Sequence, residues 1–253
     1  MKIKLLILIP LLSFASFSLL YSDNPLSARD IVKCSDDFMR GDTNQGIYSM
    51  RITTPDWQRA LKLKVYSLGR DKIFIRILSP AKEAGIGTLR IENEMWNYLP
   101  SVERIIKIPP SMMLQPWMGS DFANDDLVKE SSIVNDYNHT IAGEEKIDGN
   151  LCYKIQLIPK EGASVIWGKI MLWIRKNDFL PLKEDYYSER GKLIKVLEYS
   201  DIGVVSDRVI PKTWKMSSLI KPGHSTTIKL VDVEYNNPID EDIFTLQNLK
   251  KAY

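Results

Sequence analysis

Arg59-Ala60-Leu61-Lys62-Leu63-Lys64-Val65-Tyr66 sets Leu61, Leu63 and Val65 on one side of an extended chain and Lys62 and Lys64 on the other. A period of two with one apolar and one cationic face is a strand in a sheet that is wet on one side, the habit of antiparallel sheets. The pattern continues outward in both directions. Tyr48, Met50 and Ile52 alternate with Ser49 and Arg51 before it, and Gly69-Arg70-Asp71 turns the chain into Ile73–Ile77 after it. Leu89–Ile91, Trp96–Tyr98 and Arg104–Ile108 read as further short strands. Leu151–Leu157, Ile166–Ile174, Leu180–Tyr187, Leu193–Tyr199, Val209–Leu219 and Thr226–Tyr235 repeat the style, with turn-like separators such as Lys176-Asn177-Asp178 and Pro222-Gly223. About eleven strands in tandem with no helices between them predict a meander, not a parallel βαβ sheet. No G-x-G-x-x-G or Walker-A string is present.

Two segments stand outside this pattern. Ser27 reads as the cap of a helix with acidic Asp30 in its first turn, Ile31, Cys34 and Phe38 at helical spacing, and Gly41 as its stop. The stretch from Pro109 to Ile133 holds Pro109-Pro110 and Pro116, which forbid a regular central strand. It reads as a long structured loop in which Asn124-Asp125-Asp126-Leu127 starts a short helix. Many strands are apolar on both faces, as in Ile73, Ile75 and Ile77 against Phe74 and Leu78, or Ile170, Leu172 and Ile174 against Met171 and Trp173. One helix cannot cover so much surface. Either the sheet closes into a packed barrel or it lines a cavity for something apolar.

Composition narrows the chemistry. Of 253 residues, 44% are hydrophobic and 26% charged, near the globular norm. Length alone allows one large β domain or two small ones. Lys2 and Lys4 precede the mostly apolar run Leu5–Leu20, which is shorter than the ~20 residues that span a bilayer. This is the pattern of a secretory signal peptide over residues 1–22, cleaved after Ser18 or Ser22. Without those two lysines, the 34 Lys+Arg fall to equal the 32 Asp+Glu. A chain with no cationic excess is not a general nucleic-acid binder. Lipidation at the cleavage point needs a cysteine, and the first is Cys34. Two cysteines and two histidines without paired spacing exclude the usual zinc, iron–sulfur and thioredoxin motifs, so no metal or cofactor is expected. Export permits a Cys34–Cys152 bridge, but two buried free thiols are the simpler expectation.

Trp96-Asn97-Tyr98-Leu99-Pro100, then Arg104 and Ile108-Pro109, then Trp117-Met118-Gly119-Ser120-Asp121-Phe122 and Asp126-Leu127 resemble the outer-membrane lipoprotein-sorting family, the LolA-like carriers. Pro238-Ile239-Asp240-Glu241-Asp242-Ile243-Phe244 resembles the end of the same superfamily. The resemblance covers essentially all of residues 23–253 and implies a single domain there. It implies an incomplete antiparallel β-barrel, mainly β within an α+β class, with an N-terminal helix and a loop or short helix plugging a hydrophobic cavity. It also implies a periplasmic, non-catalytic carrier of acyl lipid or lipoprotein cargo, making transient membrane contact. Such carriers work between an inner-membrane lipid-exporting transporter and an outer-membrane acceptor. The role is physically sensible, since hiding a ~16-carbon chain from water is worth about 12 kcal/mol at ~0.8 per methylene.

On that reading the cavity candidates are Met50, Ile52, Leu61, Leu63, Val65, Ile75, Ile77, Trp96, Tyr98, Ile106, Leu157 and Leu172. The lid candidates are Met112, Met113, Leu114, Trp117, Met118 and Phe122, whose methionines suit variable cargo. Three rivals remain open: a lipid-responsive sensor or adaptor of the cell envelope, a secreted hydrolase built on Ser120 and His139, and a structural envelope protein whose barrel is filled by its own side chains. Against the hydrolase, Met118 and Phe122 stand where the glycines of a G-x-S-x-G elbow belong.

Overall fold

The computed structural model describes residues 26–128, 132–163 and 165–251. The predicted leader and its cleavage sites lie outside the described residues. Thirteen antiparallel strands form one open, curled sheet. They are β1 (Thr43–Thr53), β2 (Gln58–Leu68), β3 (Lys72–Ser79), β4 (Gly87–Ile91), β5 (Glu94–Leu99), β6 (Arg104–Lys107), β7 (Tyr137–Ile147), β8 (Asn150–Pro159), β9 (Lys169–Arg175), β10 (Pro181–Tyr187), β11 (Leu193–Val205), β12 (Arg208–Ser218) and β13 (Ser225–Tyr235). The spatial order runs β6 to β1 and then β13 back to β7. Two meanders are thus joined side by side where β1 pairs with β13. The two edges, β6 and β7, are consecutive in sequence, so the chain from 108 to 136 passes from one edge of the sheet to the other.

The count exceeds the expected eleven or so, and β7 is the strand that alternation did not reveal. As an edge strand it faces solvent along most of its length, so its Asn138, Glu144, Glu145 and Lys146 break any apolar period.

Helix α1 (Ala28–Arg40) begins and ends where expected. Ser27 Oγ accepts from Asp30 N–H at 3.1 Å, and Gly41 closes it at φ 68°, a left-handed value that costs glycine nothing. Its buried face is shifted by one position from the predicted one. Ile31, Val32 and Ser35 point inward with Met39, while Cys34 and Phe38 are exposed. The expectation of two buried thiols is therefore corrected: both cysteines are free, but only Cys152 is buried. A hydrophilic alkylating reagent should modify one thiol in the folded protein and two after denaturation, as read by intact mass. Burial also raises the Cys152 thiol above its usual range, which reinforces the contrast.

The strands that are apolar on both faces are covered on their outer side as well. Phe74 and Leu89 pack beneath Phe244 and Leu249, which belong to the C-terminal segment ending in α3 (Leu246–Lys250). Met171 and Trp173 pack with Cys152 and Leu182. The stems of Lys154 and Lys183 lie across Trp173, their ammonium groups 5.2 and 4.4 Å from its ring. The inner side holds two large clusters, one built on β1–β3 and β12–β13 and the other on β8–β9 with α1.

Candidate functional site: a cavity between the curled sheet, helix α1 and the crossing loop

The inner faces of β3 and β9 stand far apart in strand order, yet Ile73 and Ile75 of one and Ile170, Leu172 and Ile174 of the other line a single cavity of about 260 Å³. Curling of the sheet brings them together. Leu63 and Val65 of β2, Leu197 of β11, Trp214 and Met216 of β12 and Ile228 of β13 complete the apolar wall. Val32, Ser35 and Met39 of α1 cover one side, and Trp117, Phe122 and Leu127 of the crossing loop cover another.

Each cover is fastened by identifiable contacts. Ile31 and Val32 bury α1 against Ile155, Leu157 and Ile170. Farther along, the Arg70 guanidinium in the β2–β3 turn bonds both Asp36 and Asp37. Burial acts to raise the Asp37 carboxyl, but the hydrogen bonds from Lys33 and Arg70 outweigh it and hold the group below the usual carboxylate range. Arg208 Nη1 donates to Phe38 O at 2.9 Å. These contacts tie the helix across the sheet.

The crossing loop explains the Met118-Gly119-Ser120-Asp121 string. Met118 and Gly119 both take positive φ, 50° and 73°, to reverse the chain. Ser120 Oγ donates to Trp117 O at 2.7 Å, and Trp117 N–H donates to Phe122 O at 2.7 Å. Asp121 docks the turn on β13. Its N–H donates to Thr226 Oγ1 at 2.9 Å, and that hydroxyl donates to Asp121 Oδ2 at 2.8 Å. The buried Trp117 indole donates Nε1–H to Thr88 Oγ1 at 3.1 Å, and Arg59 holds Met118 O. Behind the turn comes α2 (Asn124–Val128), whose Asp126 Oδ2 accepts from Ala123 N–H at 2.7 Å and from Lys195 Nζ at 2.5 Å. Lys195 lies between aromatic faces, 4.7 Å from Trp167 and 5.0 Å from Tyr186.

Of the residues singled out in the sequence, Leu63, Val65, Ile75, Leu172, Trp117 and Phe122 line the cavity. Met50, Ile52, Leu61 and Ile77 lie in the packed core beside it, with Met113 and Met118 against the same core. Leu157 is buried under α1. Trp96 and Tyr98 lie on the opposite face, in the cluster beneath the C-terminal segment. Ile106 is exposed on edge strand β6, and Met112 and Leu114 are 43% and 63% exposed at the loop's outer side.

The sequence reading passed over the polar part of the wall: Glu184 and Tyr186 of β10, Tyr199 of β11, Tyr137 of β7 and Asp125. Asp125 reads in the sequence only as part of a short helix's acidic start, and Glu184 and the tyrosines sit in stretches of mixed polarity. Burial and the nearby carboxylates push the Tyr137 and Tyr186 hydroxyls well above the usual phenol range. Ser120 and His139 are engaged with different backbone carbonyls, Trp117 O and Ile133 O, the latter at 2.8 Å from His139 Nε2. Among the described residues no cluster of His, Cys, Asp and Glu is placed to hold a metal ion, and no helix is long and apolar enough to cross a membrane.

The architecture defines a class, that of LolA-like open barrels. Three solved structures share it. A DUF1329 family protein from Desulfovibrio piger superposes with a TM-score of 0.81 at 24% identity, over 88% of this chain and 97% of the other. A protein from Vibrio parahaemolyticus described as an outer membrane lipoprotein-sorting protein domain gives 0.78 at 22%, over 88% and 98%. A LolA superfamily protein from Nitrosomonas europaea gives 0.75 at 24%, over 88% and 100%. Residues 69–251 match a family model described as an uncharacterized protein family, and the chain belongs to that family. No curated protein matches it in sequence.

Proposed function

We propose that the protein is a non-catalytic periplasmic carrier that shields acyl chains of lipids or lipoproteins in transit between membrane components. The single observation that carries this reading is the cavity. It is walled by isoleucine, leucine, valine, methionine and tryptophan from both halves of the sheet, and roofed by elements fastened at a few points. Acyl chains demand area and few directed hydrogen bonds, which is what such a wall offers. The names of the Vibrio and Nitrosomonas proteins point the same way. An inner-membrane lipid exporter as donor and an outer-membrane component as acceptor complete the proposal.

Native mass spectrometry of protein purified from the periplasm without detergent, followed by solvent extraction, tests it. The expected result is stoichiometric acyl lipid or lipoprotein. A clean unliganded mass, together with no uptake of fluorescent fatty acid or phospholipid, overturns the reading. Leu172→Trp should lower lipid occupancy several-fold, because the larger indole narrows a space of about 260 Å³ from its wall. Undiminished occupancy in that variant, provided it folds, would place the lipid elsewhere.

A further inference from the structure

The outer side of the sheet is covered in two places, by the C-terminal segment over β3 and β4 and by packed side chains on β8 to β10. Between them lie the outward positions of β12, β13, β1 and β2. Register sets Lys62 beside Ser49, Ser49 beside Lys229 and Lys229 beside Thr213 in one cross-strand row. The next row toward the β1–β2 turn reads Ala60, Arg51, Thr227 and Lys215, and the row after it Gln58, Thr53, Ser225 and Ser217. Lys62, Lys229, Arg51 and Lys215 are all exposed, and no carboxylate stands in these rows. Glu198 of β11 borders them beside Lys215. Like charges on neighbouring strands repel, so the face carries a positive potential that an anionic surface would relieve.

The same strands end in turns with apolar tips. Trp57 in the β1–β2 turn and Leu219 and Ile220 in the β12–β13 turn are 47%, 51% and 48% exposed. The two turns stand side by side, since a Cβ on Gly223 would lie 3.0 Å from Pro55 Cγ. Asp56 and Lys221 within them offset each other, so the strands behind the tips supply the charge. At about 3.3 Å per residue, Arg51 and Lys215 stand roughly 10–13 Å behind the tips. That is where headgroups surround an anchor buried about 5–10 Å at the edge of the acyl region. At the same end, on the inner side, Thr226 of β13 holds Asp121 of the crossing loop.

Deepening the carrier reading above, we propose that this outer face and its two apolar turns form the surface that docks on an anionic bilayer. Trp57, Leu219 and Ile220 enter the interface, and Arg51, Lys62, Lys215 and Lys229 meet lipid phosphates. An acidic protein would call on the cations alone, whereas the apolar tips suit a fluid surface that closes around them. Docking here sets the bilayer beside the anchor of the crossing loop, one of the covers of the cavity.

Co-sedimentation of the mature chain with vesicles tests this. Vesicles of phosphatidylethanolamine and phosphatidylglycerol in a 3:1 ratio should bind it, and vesicles of phosphatidylcholine should not. Salt at 0.5 M should remove most of the binding. Each cation at an anionic surface is worth about five-fold in affinity, so Lys62→Gln with Lys229→Gln should weaken binding about 25-fold. Trp57→Ser with Ile220→Ser should weaken it at least ten-fold. Lys107→Gln with Lys146→Gln removes the same net charge from the two sheet edges and should change it less than three-fold. Equal binding to both kinds of vesicle, undiminished binding by either of the first two double variants, or an equal loss in the edge variant overturns the docking face. Binding to neither kind of vesicle also overturns it and leaves the cations to an acidic protein partner. The native mass measurement judges the carrier reading separately: vesicle binding by a protein that carries no lipid sinks the carrier and leaves the docking face standing.

Discussion

Replacing Asp126 by Asn should loosen the crossing loop far more than it destabilises the sheet. Asp126 is the residue through which α2 meets Lys195 of β11, and both side chains are largely buried. Removing one charge of such a pair leaves the other desolvated without its counter-ion, which costs about 3 kcal/mol. The two aromatic faces beside Lys195 recover part of that cost. A 3 kcal/mol bias toward opening is about 100-fold in the local equilibrium. The loop carries its own reporters, because Trp117, Asn124 and Asp125 donate backbone N–H groups to Phe122 O, Gln115 O and Met113 O. Hydrogen exchange at these three amides should accelerate about 100-fold, while amides in the β11–β12 ladder stay protected. Adding Lys195→Met to Asp126→Asn removes the stranded ammonium and should return exchange to within about ten-fold of the parent protein, since an apolar replacement of a buried pair is close to neutral. Unchanged exchange in the single variant, or equal acceleration throughout the sheet, would show that the pair does not hold the loop.

The consequence for transport follows from size. A cavity of about 260 Å³ falls just below the ~300–1,000 Å³ typical of small-ligand sites. To admit a full acyl chain, a cover must yield. The crossing loop joins one sheet edge to the other, and the Asp126–Lys195 pair is one of the bonds that hold it over the cavity. On the carrier reading, Asp126→Asn should both load and release lipid faster.

The strands of the fold were legible because a half-wet sheet writes its period directly into the chain. Leu61, Leu63 and Val65 against Lys62 and Lys64 needed no other information. β7 was not legible, since an edge strand has solvent on one flank and places Glu144, Glu145 and Lys146 without regard to parity. Parity also fails to say which face is inner. Trp96 and Tyr98 alternate as clearly as any pair, yet they face outward because the C-terminal segment, more than a hundred residues later, supplies Phe244 and Leu249 to cover them. The apolar wall at Leu63, Val65, Ile75 and Leu172 was within reach of pattern reading. Glu184, Tyr186 and Tyr199 were not, because a carboxylate bonded by two tyrosines on neighbouring strands leaves no mark in local sequence.

The same outer cover yields the largest expected loss of stability. Arg76 on β3 is 1% exposed, and its guanidinium donates to Gly85 O at 2.7 Å, Asn248 O at 3.1 Å and Leu249 O at 2.9 Å. Two of these carbonyls belong to the last turn of α3, where intrahelical donors run out; Asn248 O also accepts from the capping Lys251 N–H at 3.1 Å. A helix of five residues is too short to persist without tertiary support. It holds because the Leu249 side chain is buried on Phe74 and Leu89 while Arg76 satisfies its carbonyls. Arg76→Met keeps most of the stem volume and leaves three acceptors without this donor, at a total cost of about 3–5 kcal/mol. For a chain of this size, that lowers Tm by roughly 10 °C. Arg76→Lys, a point donor in place of a fork, should recover only part of the loss. The cavity lies on the other side of the sheet, so lipid occupancy per folded molecule should not change in either variant. A fall in Tm below about 2 °C for Arg76→Met would mean that water replaces the guanidinium and that the C-terminal segment is held by Phe244 and Leu249 alone.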